Sequence, residues 1–274
     1  MERSVVSCLL AAFLVAVVLV CGCTTPAATN EVIRTESAEM KTIGVIGGIS
    51  WVSSAEYYVL MNEMVEEELG GLHSAKVLMY SIEFGEFSKQ ERLASQGDWE
   101  PLRRTMIDAA ERLEMGGADF IIICSNTMHS TVDDIEAHVD IPVLHIADAT
   151  GEKITEQGLT TVGLLGTKYT MEQGFYRERL EDTYGITVIV PNETEQEIVN
   201  AVIFDELCAE QITDASREKY IEIIDHLVEQ GAEGVILGCT EIPLLVKQDD
   251  VDVPLFDTMT IHAEAAVRYA LDGI

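Results

Sequence analysis

Basic residues are scarce: Lys and Arg total 17 against 48 Asp and Glu, a formal net charge of -31. So acidic a chain repels phosphate, which excludes nucleic acid or an anionic membrane surface as its main partner. A small anionic substrate stays open, because a site can be locally positive within a negative field. Proline is also sparse, at 6, beside 20 glycines, and this excludes collagenous and Pro/Gly-rich chains. The hydrophobic fraction of 47% excludes a disordered one. No G-x-G-x-x-G and no G-x-x-x-x-G-K-[ST] occurs, so dinucleotide and P-loop sites lack their signatures. No metal-ligand spacing and no flavin, nicotinamide or pyridoxal motif is visible, and no cofactor is expected.

What is present divides into two parts. Val5 to Val20 carry no charge, and the polar stretch from Thr24 to Asn30 follows Val20-Cys21-Gly22-Cys23. That junction resembles a lipobox, although Cys21 stands where a small or hydroxyl residue is usual. The expectation for residues 1-40 is a signal and lipoprotein leader with a tether. Cys23 would be lipidated and the protein exported and held at the outer face of the cytoplasmic membrane. An uncleaved anchor or plain secretion are the alternatives. The folded part then keeps Cys124, Cys208 and Cys239, an odd number and a poor disulfide framework. Thiols kept free outside the cell invite a chemical explanation. Only four acids and two bases precede Lys41, so the acidity belongs to the folded part, as on a salt-adapted surface.

From Lys41 onward, short β-branched runs alternate with amphipathic stretches. Strands are expected at Thr42–Ile46, Val77–Ser81, Phe120–Cys124, Val143–His145, Thr161–Leu165, Thr187–Val190, Gly234–Gly238 and Leu255–Phe256. Helices are expected at Ser54–Leu69, Glu100–Glu114, Met171–Thr183, Glu195–Glu206, Ser216–Glu229 and Ile261–Leu271. Such alternation predicts an α/β protein with parallel sheets and right-handed crossovers. Two segments repeat: T-I-G-V-I-G-G at 42 reads against T-V-G-L-L-G-T at 161, and G-A-D-F-I-I-I at 117 against G-A-E-G-V-I-L at 231. The offsets of 119 and 114 residues are nearly equal, which predicts two duplicated, doubly wound (Rossmann-like) lobes. The expected division is 41-144 plus 255-274 for the first lobe and 145-254 for the second. The site is expected in the cleft between them, beyond the carboxyl ends of the strands.

Four loops follow those strands: Gly47-Gly48-Ile49-Ser50-Trp51, Cys124 to His129, Gly166-Thr167-Lys168, and Gly238 to Pro243. Each exposes backbone N–H groups at a helix N-terminus, where a carboxylate is welcome. Taken singly, their Ser, Thr and Asn residues would be ordinary helix caps. Together, C-S-N-T-M-H and G-C-T-E-I-P resemble the two signature segments of the aspartate/glutamate racemase superfamily. G-V-I-G-G-I-S-W-V-S-S-A-E-Y-Y, G-G-L-H-S-A-K-V-L-M-Y-S, H-I-A-D-A-T-G and L-L-G-T-K-Y-T-M-E-Q resemble its aspartate racemase and broad-specificity amino-acid racemase branch. The resemblance runs from about Lys41 to the C-terminus.

It implies cofactor-independent racemisation of an acidic or related amino acid, with a homodimer expected. Two residues on opposite faces of Cα would serve in turn as base and acid, usually cysteines activated to thiolate near neutral pH. Cys239 matches one. The family position directly before Asn-Thr is Ser125, and the offset of 114 independently places Ser125 opposite Cys239. Adjacent strand residues point to opposite faces, so Cys124 does not share that role. Substrate binding falls to Ile49, Ser50, Asn126, Thr127, Thr240 and Glu241, and Glu241 is also placed to orient or tune Cys239. His129 is expected to pack. Lys168 and Arg92 are candidate partners for a side-chain carboxylate, with Gln90 and Gln96 nearby. Some aspartate racemases carry a Lys around Asp205–Cys208; none stands here, which argues against strict aspartate specificity. A hydroxyl is a far weaker acid than a thiol, so turnover is expected to favour the enantiomer whose α-proton faces Cys239. The alternatives are an isomerase or decarboxylase of the same fold, or a decayed, tethered amino-acid binder.

Overall fold

The computed structural model describes residues 39–209 and 211–272. Cys23 and the expected leader lie outside the described residues. Among the described residues no helix is long and apolar enough to cross a membrane.

The first lobe runs β1 (Ile43–Gly47), α1 (Trp51–Leu69), β2 (Val77–Ser81), α2 (Phe84–Ala94), α3 (Glu100–Met115), β3 (Phe120–Ile123), α4 (Val132–Glu136) and α5 (Ile146–Glu156). The second runs β4 (Thr161–Gly166), α6 (Lys168–Glu172), α7 (Gly174–Tyr184), β5 (Thr187–Ile189), α8 (Glu193–Asp205), α9 (Asp214–Glu229), β6 (Val235–Gly238), α10 (Ile242–Leu245), β7 (Leu255–Asp257) and α11 (Thr258–Leu271). Every strand pair is parallel, in the orders β2-β1-β3 and β5-β4-β6-β7. Val143 adds a single parallel bridge to Ile121, in the place that β7 holds in the second sheet. The fold is therefore α/β with two duplicated parallel lobes.

Strand parity explains the apolar runs. Ile43, Val45, Phe120 and Ile122 face one core, while Ile46, Ile121 and Ile123 face another. In the second lobe Val162, Leu164 and Ile236 face one core, and Leu165, Val235 and Leu237 the other. A sheet covered on both faces has no polar side to alternate with, so its strands read as continuous hydrophobic stretches.

The covering helices are exchanged between lobes. Met259, Ala263, Ala266, Val267 and Ala270 of α11 pack into the core of β1, β3 and α1. Ile146, Ala147 and Ile154 of α5 pack with Val162, Leu164 and the α7 residues Tyr176 and Leu180. Thus each lobe's last helix seals the other lobe's sheet. Truncating a fully buried Leu or Met in such a core costs about 2–5 kcal/mol.

Three expectations are corrected. Val143–His145 is one bridge and not a strand, because His145 already caps α5, its Nδ1 accepting the Ala147 N–H at 3.1 Å. The helix expected over Met171–Thr183 begins earlier and is broken at Gln173, whose backbone is extended between α6 and α7. Residues 255–257, expected in the first lobe, pair with β6 through Leu237↔Asp257 and belong to the second sheet. The helices α2 and α5 were not anticipated. The first is short and capped by Glu83, which accepts from the N–H groups of Gly85 and Glu86.

Candidate active site

Each lobe ends a strand in a loop that carries one of the two expected acid–base candidates. β6 delivers Cys239 and β3 delivers Ser125, both half-buried. Cys239 shares strand parity with Val235 and Leu237, as Ser125 does with Ile121 and Ile123. Cys124 has the other parity and sits 1% exposed in the first-lobe core, its thiol pushed up by burial.

The Cys239 thiol donates to Glu241 Oε2 at 3.0 Å, and Thr240 Oγ1 donates to the same oxygen at 2.9 Å. Burial, and then the Glu241 carboxylate beside it, hold the Cys239 thiol well above its ordinary range. The family pattern implies a thiolate near neutral pH; the unliganded site here favours the thiol, because both influences oppose negative charge on sulfur. Glu241 is the group positioned to take that proton. Among the described residues the Ser125 hydroxyl has no hydrogen-bond partner. Its carbonyl accepts from Nδ1 of His129 at 2.8 Å.

The neighbouring loops are joined. Thr127 Oγ1 lies 3.4 Å from Thr167 Oγ1 and 3.2 Å from Thr170 Oγ1, and the latter two are 3.1 Å apart, a three-hydroxyl bridge from the first lobe to the second. Asn126, 4% exposed, donates from Nδ2 to Thr258 Oγ1 at 3.0 Å. In the first turn, Ser54 Oγ accepts from the Gly48 N–H and donates to the Ser50 carbonyl, both at 2.8 Å, which fixes Ile49 and Ser50 at the start of α1. Only glycine fits position 48: its φ is +88°, and a Cβ there would lie 2.2 Å from the Ile82 carbonyl oxygen.

Other candidates are not brought in. Lys168 binds Glu197 and, at 3.8 Å, Glu172, an ion-paired surface arrangement against α8. Gln90 is tied to Thr105 of α3 at 2.9 Å, and Arg92 is exposed in the last turn of α2.

Sequence reasoning missed Thr258, Thr170 and a cluster of histidines. His129 stacks within 4.8 Å of His145 and 5.3 Å of His262, ring centre to ring centre. His262 Nε2 donates to the Leu144 carbonyl at 2.9 Å, and Tyr57 O–H donates to its Nδ1 at 3.0 Å. Burial pushes His145 down to about 3, His262 down to about 4, and His129 well below its usual range. Among the described residues no group of three or more His, Cys, Asp or Glu is arranged to hold a metal. The available signal was that Asp257-Thr258 forms a fifth strand-to-helix turn of the same kind as the four singled out.

A groove of about 1060 Å³ exists elsewhere, lined by Leu144, His145, Tyr184 and Tyr269 and by none of the candidate residues. Of the acids that line it, Glu152 pairs with Arg268 and Asp148 with Arg179. Chemistry, and not cavity size, marks the site.

Known proteins share this fold. A candidate Asp/Glu racemase from Yersinia pestis has a crystal structure that matches with a TM-score of 0.80 and 51% identity, covering 85% of this chain and 100% of that one. An aspartate racemase homologue from Pyrococcus horikoshii OT3 matches at 0.74 and 38% identity, covering 84% and 99%. The broad specificity amino-acid racemase RacX of Bacillus subtilis (strain 168) is 26% identical over 172 residues, 62% of this chain and 73% of its own. The Asp/Glu/hydantoin racemase family matches residues 46–266, nearly the whole of both lobes, and the chain belongs to that family.

Proposed function

We propose that this protein is an amino-acid racemase that needs no pyridoxal phosphate or other cofactor. In this reading it moves a proton at Cα between Ser125 on one face and Cys239 on the other. The observation that carries the reading is their equivalence: the two side chains follow Ile123 and Leu237, which hold matching register positions in the two sheets, and the buried Thr258 hydroxyl bonds both to the Ser125 loop and to the strand that leads into Cys239. Glu241 takes the Cys239 proton, and the thiolate so formed removes the α-proton. The Ser125 hydroxyl then delivers its own proton to the opposite face, and the proton held by Glu241 returns to Ser125 through solvent, so that Cys239, Glu241 and Ser125 all regain their starting states. The α1 N-terminus, with Ile49 and Ser50, and the hydroxyls of Thr127 and Thr240 would hold the α-carboxylate and steady the enolate as it forms. The broad-specificity name of the Bacillus subtilis relative and the missing Lys around Asp205–Cys208 favour a range wider than aspartate.

The unpartnered Ser125 hydroxyl favours a second reading, a binder whose first-lobe base has decayed. Incubation in heavy water with a panel of D- and L-aspartate, glutamate and neutral amino acids separates the two. Deuterium at Cα of both enantiomers is expected; no exchange with any of them would leave the binder standing.

We also propose export with attachment through a lipid on Cys23, and assembly as a homodimer, from the leader pattern and the family resemblance. Membrane fractionation and light scattering on wild type and Cys23→Ala test both. A soluble wild type would overturn the anchor, and a monomer would overturn the dimer.

A further inference from the structure

One buried hydroxyl touches both the Ser125 loop and the strand β6 that leads into Cys239 of the proposed racemase. Thr258, the first residue of α11, has no exposure. The pairing of Leu237 with Asp257 sets the next residue, Thr258, beside the Leu237 carbonyl, and its O–H donates there at 2.9 Å. A carbonyl can only accept, so the Thr258 proton is committed, and a lone pair on the same oxygen is what remains to receive Nδ2 of Asn126. This settles which way the Asn126 amide is turned. Its NH₂ edge meets Thr258, and Oδ1 is left over, buried and without any partner. A buried carbonyl oxygen without a donor is unfavourable until a donor arrives, and a charged N–H donor is the strongest kind. Leu237 lies two residues before Cys239, and Asn126 directly follows Ser125.

We propose that Thr258 is a positioning residue: its hydroxyl locks the Asn126 amide so that Oδ1 is the acceptor for the substrate's α-ammonium, and it holds the Ser125 and Cys239 loops at a fixed separation. The inference rests on the racemase reading above. It acts entirely through other residues, since Thr258 is sealed beneath both loops.

The test compares wild type, Thr258→Val and Thr258→Ser by racemisation kcat and KM, α-deuterium exchange and thermal midpoint. Val keeps the branched shape and loses the hydroxyl; Ser keeps the hydroxyl and loses the methyl. T258V is expected to lose about 10- to 100-fold in kcat, the scale of a small misplacement of reacting groups. T258S should stay within a few-fold of wild type although its midpoint falls. Activity thus follows the hydroxyl and not the stability, which a purely structural residue would not produce. In an Asn126→Ala background, Thr258→Val should cost little more. Wild-type kcat in T258V, or equal slowing in the Val and Ser variants, would overturn the role of Thr258. If T258V does not fold, T258S against T258A reads the same hydroxyl. A wild-type protein that exchanges no amino acid would instead overturn the racemase reading, so the two failures are distinct.

Discussion

In heavy water the Cys239→Ala variant is expected to leave the α-proton of its substrates in place, with exchange falling about 10³-fold or more. General acid–base catalysis by one positioned group is worth about 10²–10⁴, and among the described residues no other thiol is placed to replace this one. Cys124 is enclosed in the first-lobe core, and Cys208 lies in an exposed turn with its thiol pushed up to about 11. Exchange that persists in Cys239→Ala would reject the assignment. The partner substitutions read the other face. Ser125→Ala should stop racemisation yet still exchange one enantiomer with retention, because Cys239 can remove a proton and return deuterium to the same side. Ser125→Cys should raise turnover by about 10-fold or more, since a thiol ionises far more readily than a hydroxyl. The equilibrium constant of a racemisation is one, so kcat/KM must be equal in the two directions. The handicap of Ser125 must then show as unequal kcat at saturation, and equal kcat values would remove the argument for asymmetry.

Acidification is expected to destabilise this protein earlier than its carboxylates would. His129, His145 and His262 are buried and neutral in the folded state, with burial holding all three below their ordinary range. In the unfolded chain each titrates near 6.5. Below that pH the unfolded state binds protons that the folded state refuses, so stability present at pH 7.5 is lost as pH falls from about 6.5 toward about 4. The slope is on the order of 1.4 kcal/mol per pH unit for each imidazole, approaching about 4 for three. His226 works the other way, raised by its hydrogen bond to Glu195, but it is one exposed group against three. Glu83 and Glu233, held low by backbone N–H groups, add their own loss only at still lower pH. Denaturant titrations at pH 7.5, 6.5, 5.5 and 4.5 measure the slope, and His262→Gln should flatten it by one proton. A stability that stays level down to pH 4.5 would contradict the assignment of neutral imidazoles.

How much of this was legible in the chain depended on range. The duplicated strands were visible because Gly-Ala-Asp and Gly-Ala-Glu turns feed apolar runs at matching offsets. Ser125 and Cys239 were singled out by the family resemblance, and the repeat register and strand parity agree with that choice. What failed was decided by distant partners. Val143 resembles a strand residue, but helix capping by His145 stops the ladder after one rung. For Lys168 the surface alternative to a carboxylate ligand is the one that matches its ion pair with Glu197 of α8. Thr258 looks like any hydroxyl at a strand-to-helix turn, and nothing local reveals that a carbonyl of β6 and an amide of the Ser125 loop meet on it. His129, His145 and His262 are far apart in the chain, and only the fold collects them. Burial and the aim of Glu241, which raise the Cys239 thiol, are likewise tertiary facts.

The crossing of α5 and α11 governs the order in which the molecule can be finished. While the chain is being made, β1, β2 and β3 are complete long before α11 exists, and their sheet must wait with one apolar face uncovered. The second half meets no such delay, because α5 precedes the strands that it shields. The C-terminal half can therefore close first, and the N-terminal half closes last, when the end of the chain returns to it. Cutting the polypeptide between the repeats would leave each piece without the helix that roofs its sheet. The duplication visible in the sequence is thus no longer divisible into two self-sufficient folding units.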